Sequence, residues 1–90
     1  MKFTDLNFQP HVTGDGIRAE HFFPNGYGIS VVRFPGSYGY EQDLYEVAIL
    51  KGSPDDYDLC YDTPITDDVI GHLSEEEVED LLLQVENFTN

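Results

Sequence analysis

The last part of the chain has the spacing of an amphipathic helix. Apolar residues recur there every three or four positions, and most of the residues between them are acidic. This spacing brings apolar side chains onto one face of an α-helix. We therefore predict a helix over 75–87 that packs on a sheet. Its buried stripe consists of Val78, Leu81, Leu82, Val85 and Phe88.

The start of this helix carries capping signals. Ser74 is placed to accept a hydrogen bond from the backbone amide of Glu77, and the Glu77 carboxylate can reach back to the Ser74 amide, which is a capping box. Leu73, just before the cap, and Val78, inside the helix, form the expected hydrophobic staple. These signals predict that the helix begins directly after Ser74.

Four earlier stretches are typical of β-strands, because they alternate apolar and polar residues or are rich in β-branched ones. The predicted strands are 17–23, 27–34, 43–51 and 57–62. Asn25 and Gly26 tolerate the positive φ of a tight turn, so they join the first two strands into a hairpin. The turn 52–56 joins the last two strands into a second hairpin.

Three other segments have weaker patterns. An edge strand is predicted over 2–9. The Gly- and Tyr-rich connection 35–42 has no lysine and does not precede a helix, so we do not interpret it as a nucleotide-binding loop. Thr66 is expected to cap a short helical turn over 67–70 that Gly71 ends.

Together these elements predict one α+β domain over 1–90. It is an antiparallel β-meander of about four strands with one C-terminal amphipathic helix packed on one face. Within it, 1–24 form an N-terminal segment, 25–62 the β-hairpins, and 63–90 the acidic turn and helix. A chain of 90 residues fits a single domain with a modest core.

The composition is that of a folded protein. Hydrophobic residues make up 40% and aromatic residues 13% of the chain, which excludes a disordered acidic tail. No apolar run is long enough to span a membrane and no signal peptide is present. The single cysteine, Cys60, excludes an internal disulfide, and we interpret it as a buried small hydrophobic residue. We therefore expect a cytoplasmic protein that does not associate with membranes.

The net charge of −14 lies in the second half of the chain. Residues 1–40 are electrically balanced, and residues 41–90 carry the whole excess of negative charge. A field of this sign repels nucleic acids and membrane surfaces and attracts basic surfaces. The expected partner is therefore a basic protein, and direct binding of nucleic acid is not expected.

Acidic residues are most frequent around the predicted helix start. The helix dipole favours acids in the first turn, but it does not account for Glu79, Asp80 and Glu86. Glu76 and Asp80 form a like-charge pair one turn apart, which costs about 0.2–0.5 kcal/mol. Leu83 is expected to lie exposed among these acids. The predicted partner-binding acidic face consists of Asp62, Asp67, Asp68, Glu75, Glu76, Glu79, Asp80 and Leu83.

Metal binding and catalysis have weaker support. The acids at 55–62 offer the oxygen ligands of a hard cation, but their spacing lacks the central Gly and final Glu of an EF-hand loop. Cys60 and His72 are a conceivable nucleophile–base pair, yet no nucleophile elbow, oxyanion motif or phosphate loop accompanies them. A zinc site would need four dispersed residues to converge: His11, His21, Cys60 and His72. We expect no metal, no cofactor and no enzymatic activity.

Two segments resemble a known group of proteins. They are NGYGISVVR, over Asn25–Arg33, and LCYDTPITDDVIGHLSEEEVEDLL, over Leu59–Leu82. The chain is similar there to small acidic proteins of tailed bacteriophages and prophages, which carry an NGYG-x-SV-x-R strand and a YDTPITDDV turn before a Glu-rich helix. The resemblance implies an early or accessory phage product made in a bacterial cytoplasm. It assigns no activity, so no functional residue is carried over.

Charge and resemblance together suggest a phage-encoded acidic inhibitor. It would mimic DNA or RNA and bind the basic cleft of a host nucleic-acid-binding protein, such as a CRISPR effector, a restriction enzyme, a nuclease or a polymerase, as a monomer or weak homodimer. The alternative is a small soluble phage accessory or structural protein without mimicry, in which the acidity serves solubility. A structural component would self-associate, for example through Tyr38 and Tyr40.

Overall fold

The computed structural model describes residues 1–11, 14–60, 63–66 and 68–88. Its strands are β1 (Gln9–Pro10), β2 (Ile17–Phe22), β3 (Tyr27–Arg33), β4 (Tyr45–Ser53), β5 (Asp56–Leu59) and β6 (Ile70–Leu73), and its helix is α1 (Glu75–Glu86). Short 3-10 turns lie at Phe3–Asp5 and Tyr40–Gln42.

All the strand pairs are antiparallel, in the order β1-β2-β3-β4-β5. β6 also pairs with β4, beside the N-terminal end of that strand, whereas β5 pairs with its C-terminal end. The helix α1 packs on this six-stranded sheet. The predicted α+β meander with a C-terminal helix is therefore confirmed, with β1 and β6 as additional short strands.

The core lies between the sheet and the apolar stripe of α1. Side chains alternate along a strand, so every second residue of β3 and β4 faces the helix. The buried central residues of the sheet are Ile29, Val31, Val47 and Ile49, none more than 2% exposed. Those of the helix are Val78, Leu81, Leu82 and Val85, as predicted. The fifth residue of the predicted stripe, Phe88, lies beyond the end of α1 and is partly buried against the core. Each aliphatic side chain buried in this way contributes about 1.5–3 kcal/mol.

The N-terminal end of α1 is closed by the predicted capping box. The Ser74 hydroxyl accepts from the Glu77 amide at 3.2 Å, and Glu77 Oε1 accepts from the Ser74 amide at 3.0 Å. The hydrogen bond from the Ser74 backbone lowers the pKa of Glu77. Leu73 and Val78 are buried in the same core cluster, in agreement with the predicted staple.

The C-terminal end of α1 is capped from the sheet. Its last turn contains no basic residue. Asn25, in the turn between β2 and β3, donates through Nδ2 to the carbonyl oxygens of Val85 at 2.7 Å and Phe88 at 2.9 Å. Asn25 Oδ1 also accepts from the Tyr27 amide at 3.0 Å. Because the last carbonyl groups of a helix lack intrahelical partners, this one side chain joins the hairpin to the helix end.

The prediction of an edge strand over 2–9 is wrong over 2–8, and only Gln9 of that range lies in a strand, the edge strand β1. The segment turns at Phe3–Asp5, where the Asp5 carboxylate accepts from the Lys2 amide at 2.9 Å. The rings of Phe3 and Phe8 both lie against Tyr45, with centroids 5.2 and 5.8 Å from it. A straight strand would point these two residues to opposite faces, so the turn is what lets both rings pack on Tyr45.

Two carboxylates of α1 hold this N-terminal segment. Glu79 Oε1 accepts from the Phe3 amide at 2.8 Å, and Glu86 Oε1 accepts from the Met1 ammonium at 2.9 Å. These contacts explain two of the three acids that the helix dipole left unaccounted for. Glu79 and Glu86 therefore act within the fold.

The predicted helical turn over 67–70, ended by Gly71, is also wrong from Ile70 onward. Ile70 pairs with Val47, and Leu73 pairs with Tyr45. The segment between these two pairs is one residue longer in β6 than in β4, so β6 contains a β-bulge. A Cβ at Gly71 would lie 2.3 Å from the Tyr38 Cβ. Gly71 therefore lies within a strand, where the lack of a Cβ lets Tyr38 pack against the backbone, and it does not end a helix.

Strand boundaries differ by a few residues from the prediction. β4 begins at Tyr45, because Asp43 has a φ of 59° and ends the preceding 3-10 turn. Ser53 pairs with Asp56, so the turn of the second hairpin is shorter than 52–56. Both predicted hairpins are present, although the end of the predicted strand 57–62 reaches residues 61 and 62, which lie outside the described residues.

The Asn25 cap predicts a specific sensitivity. Asn25→Asp keeps the side-chain shape but replaces the donor with a carboxylate at the negative end of the helix dipole. We expect the free energy of unfolding in urea to fall by about 1–3 kcal/mol. Asn7→Asp is the matched control, because it adds the same charge at an exposed residue whose Oδ1 already acts as an acceptor. Equal losses of unfolding free energy in the two variants would show that the Asn25 side chain does not cap the helix.

Glu77→Gln tests the charge in the capping box. The lowered pKa of Glu77 means that its carboxylate stabilises the fold above its ordinary pKa of 4.5, and that this contribution is lost as the pH falls through the folded-state pKa. We expect Glu77→Gln to be less stable than the wild type at about pH 7, and we expect this difference in stability to shrink at about pH 3 as the Glu77 carboxylate takes up its proton.

Urea unfolding at the two pH values measures this difference. Glu76→Gln is the control, since Glu76 is exposed and lies outside the box. Its stability should change little at neutral pH, because the lost interaction with the helix dipole is offset by relief of the repulsion between Glu76 and Asp80. A Glu77→Gln deficit that stays constant with pH would show that the charge has no part in the cap.

Candidate functional site

The exposed side of α1 carries most of the residues that were predicted to bind a partner. Glu75, Glu76 and Asp80 are exposed, and Leu83 is 44% exposed. Within the described residues, no hydrogen bond or ion pair occupies the carboxylates of these three acids. They form a row of uncompensated negative charge at the start of a helix that is anchored at both ends.

The other predicted members of this face are placed differently. Glu79 is half-buried and holds the Phe3 amide. Asp68 is exposed in the turn before β6, where its amide donates to the Thr66 hydroxyl at 3.2 Å. Asp62 and Asp67 lie outside the described residues.

Asp43 adds to the acids at the helix start, and the sequence analysis did not include it. Burial raises the pKa of the Tyr45 hydroxyl, the Arg33 guanidinium opposes this rise, and the carboxylates of Glu75 and Asp43 reinforce it. One hydroxyl therefore lies within the fields of a helix carboxylate and a loop carboxylate. We call Asp43, Glu75, Glu76 and Asp80 the acidic surface.

Three of the four Lys and Arg side chains are engaged elsewhere or lie over aromatic rings. Arg18 is 3.8 Å from Glu20, and Arg33 lies over the Tyr45 ring at 5.2 Å from its centroid. Lys51 is 6.0 Å from the centroid of Tyr27. Arg33 is the basic group that acts electrostatically near the acidic surface, because it lowers the pKa of Tyr45.

A second group of acids lies on the hairpin of β4 and β5. Asp55, Asp56 and Asp58 are exposed there, and Asp58 is paired in register with Lys51. Among the described residues, no three His, Cys, Asp or Glu side chains form a group that could hold a metal ion.

The four residues considered for zinc have separate surroundings. His11 stacks on Phe34, with ring centroids 4.0 Å apart, and His21 lies edge-on to Phe23 at 4.8 Å. Cys60 is 5% exposed and belongs to the core, as interpreted from the sequence. His72 is exposed and lies beside Tyr38.

An open cavity lies between the loop 35–42 and β6. Its volume is about 410 Å³. It is lined by Pro35, Gly36, Ser37, Tyr38, Gly39, Tyr40, Glu41, Gln42 and His72. The loop is fixed to the sheet by two hydrogen bonds, from the Tyr38 amide to Glu46 Oε1 at 3.2 Å and from the His72 amide to the Tyr38 carbonyl at 3.2 Å. We call this feature the loop cavity.

The backbone around the loop cavity is unusual. Asp43 and His72 are the non-glycine residues with positive φ in the described part of the chain, at 59° and 57°. Each such conformation costs about 1 kcal/mol or more unless the surroundings hold it. The sequence does not reveal the cavity, because the cavity depends on a β-bulge, which leaves no clear pattern in a short strand.

Within the described residues, no helix is long and apolar enough to cross a membrane. No protein-family model, curated protein or solved structure matches this chain.

Proposed function

We propose that this protein is a phage-encoded acidic inhibitor that binds the nucleic-acid-binding surface of a bacterial host protein. The observation that carries the proposal is the row of exposed carboxylates at Glu75, Glu76 and Asp80, which no hydrogen bond or ion pair occupies within the described residues. Uncompensated charge of this kind attracts a basic surface and steers its approach.

The spacing of these charges supports mimicry of a nucleic acid. Glu76 and Asp80 lie one helical turn apart, about 6 Å, and phosphates repeat every few ångströms along a nucleic-acid strand. A helix that is capped at both ends and packed on a sheet presents its charges at fixed positions. Such a surface can occupy a groove lined with Lys and Arg and so exclude DNA or RNA.

Folding alone does not require these acids. Acids in the first turn are favoured by the helix dipole, but Asp80 lies in the second turn and repels Glu76. Lysines at such positions would add ion pairs to the helix. A binding role accounts for an arrangement that contributes little to stability.

The second candidate function is that of a small soluble phage accessory or structural protein whose acidity serves solubility. The observation that favours it is the hairpin of β4 and β5, where Asp55, Asp56 and Asp58 are also exposed. Acids spread over two separate surfaces are what solubility requires. A binding role requires only one of those surfaces.

A competition experiment separates the two functions. The immobilised protein is exposed to a bacterial lysate, and retained proteins are eluted in steps of rising salt and identified by mass. We expect a nucleic-acid-binding protein that leaves only at high salt, because each ion pair at the interface weakens with screening. The purified partner should then release labelled DNA or RNA when this protein is added.

The charge-reversed variant Glu76→Lys/Asp80→Lys should fail in that competition. We expect its affinity for the partner to fall about tenfold or more, because attraction becomes repulsion at the contact. Its circular dichroism spectrum should stay that of the wild type, since both residues are exposed. Competition measured by fluorescence anisotropy gives the affinities.

The matched control is Asp55→Lys/Asp58→Lys, which makes the same change of charge on the hairpin of β4 and β5. It should compete nearly as well as the wild type. If both double variants lose the same affinity, net charge alone governs binding and the acidic surface has no special role. If neither loses affinity, the mimic proposal is wrong.

A further inference from the structure

We propose that the loop cavity binds an arginine side chain of the basic partner. The inference rests on the proposed function for the class of partner, and it adds a specific recognition element to it. The cavity lies at one end of β6, and α1 begins three residues after His72. A partner that docks on the acidic surface therefore passes close to the cavity.

The rings of the loop cavity provide flat surfaces for a planar cation. Tyr38 is 61% exposed and Tyr40 is 37% exposed, which is unusual for side chains of this size. The rings of Tyr38 and His72 lie nearly parallel, at an interplanar angle of 23° with centroids 6.5 Å apart. A guanidinium group stacks on such aromatic faces, whereas an ammonium group has no flat surface.

The charge around the cavity selects a cation. Glu41 lines the cavity and is exposed. At the edge of the cavity, Glu46 Oε1 accepts a hydrogen bond from the Tyr38 amide. The lining residues include no lysine or arginine. An anionic ligand such as a phosphate would therefore meet repulsion. A carboxylate beside aromatic rings suits the guanidinium fork, which can donate two parallel hydrogen bonds to it.

Local structure fixes the rings in place. The bulge in β6 and the positive φ of His72 set the position of the imidazole beside Tyr38. Gly71 leaves room for the Tyr38 Cβ, and a Cβ at Gly39 would lie 2.9 Å from the His72 Cα. Two close backbone approaches and a left-handed residue thus hold an exposed tyrosine against the sheet. Strained backbone held in this way is frequent at binding sites.

A titration with two peptides tests the inference on the full chain. Hexa-arginine and hexa-lysine, both acetylated and amidated, are added separately to the labelled protein and followed by NMR. We expect the arginine peptide to shift the side-chain signals of Tyr38, Tyr40 and His72, and to bind about two- to fivefold more tightly than the lysine peptide. The lysine peptide should shift mainly the amides of the acidic surface.

Tyr38→Leu removes the ring but keeps an aliphatic side chain against Gly71, so the loop retains its packing. This variant should bind both peptides equally, with the affinity for hexa-lysine unchanged. Tyr57→Leu is the matched control, because Tyr57 is another exposed tyrosine but lies on β5, outside the lining of the cavity. It should retain the preference for arginine.

Three outcomes would overturn the inference: no preference for arginine in the wild type, the same preference in Tyr38→Leu, or cavity signals that shift with protein concentration without peptide, as in self-association. Failure of the proposed function gives a different result. In that case no host protein is captured in a charge-dependent manner, while the preference for arginine and its loss in Tyr38→Leu persist. Glu76→Lys/Asp80→Lys should weaken the binding of both peptides and leave the ratio of their affinities unchanged.

Discussion

The side-chain amide of Asn25 is the contact that fixes the end of the helix on the sheet. It lies in the β2–β3 turn and donates to the carbonyl oxygens of Val85 and Phe88. The helix has no basic residue in its last turn, so a neutral donor from the sheet takes the place of a cation. With this end fixed, the apolar stripe of α1 lies along β3 and β4, and the first turn with its acids comes to lie beside Tyr45.

The acids of the helix divide into two groups with different physical roles. One group accepts hydrogen bonds from backbone amides or from the Met1 ammonium and thereby stabilises the fold. It consists of Glu77, Glu79 and Glu86. The other group, Glu75, Glu76 and Asp80, makes no such contact within the described residues. The helix charge that is free to act on a partner is therefore smaller than the composition suggests, and it lies in the first two turns of α1.

The first four residues of the NGYGISVVR segment each have a structural role. Asn25 caps the helix, Gly26 has a φ of 85°, and Tyr27 packs edge-on against Phe88. A Cβ at Gly28 would lie 2.7 Å from the Phe22 ring. These four residues serve the fold, so a functional surface has to be sought elsewhere. The acidic surface and the loop cavity are exposed to solvent and are therefore the surfaces that we consider for binding.

Local patterns predicted the parts of the fold that local interactions determine. The alternation in β4, the Asn25-Gly26 turn and the Ser74–Glu77 box each depend on neighbouring residues, and all are present. The features that were missed depend on distant contacts. The bond from Asn25 to Val85 spans 60 residues, and β6 exists because the N-terminal end of β4 offers an unpaired edge.

The same distinction applies to the candidate site. Helical spacing placed Glu76, Asp80 and Leu83 on one exposed face. It did not show that Glu79 is engaged by the Phe3 amide, because that contact depends on the turn at Phe3–Asp5. Nor did it indicate Asp43, whose carboxylate acts on the Tyr45 hydroxyl together with that of Glu75.

Carbodiimide cross-linking of the protein to its captured host partner tests the central claim most directly. This reagent joins a carboxylate to a lysine amine only where the two are in contact, so it identifies which acids meet the basic surface. We predict cross-links from Glu75, Glu76 or Asp80 to lysines in the groove where the captured protein binds nucleic acid. Cross-links that arise mainly from Asp55, Asp56 and Asp58, or that reach lysines outside the groove, would contradict it.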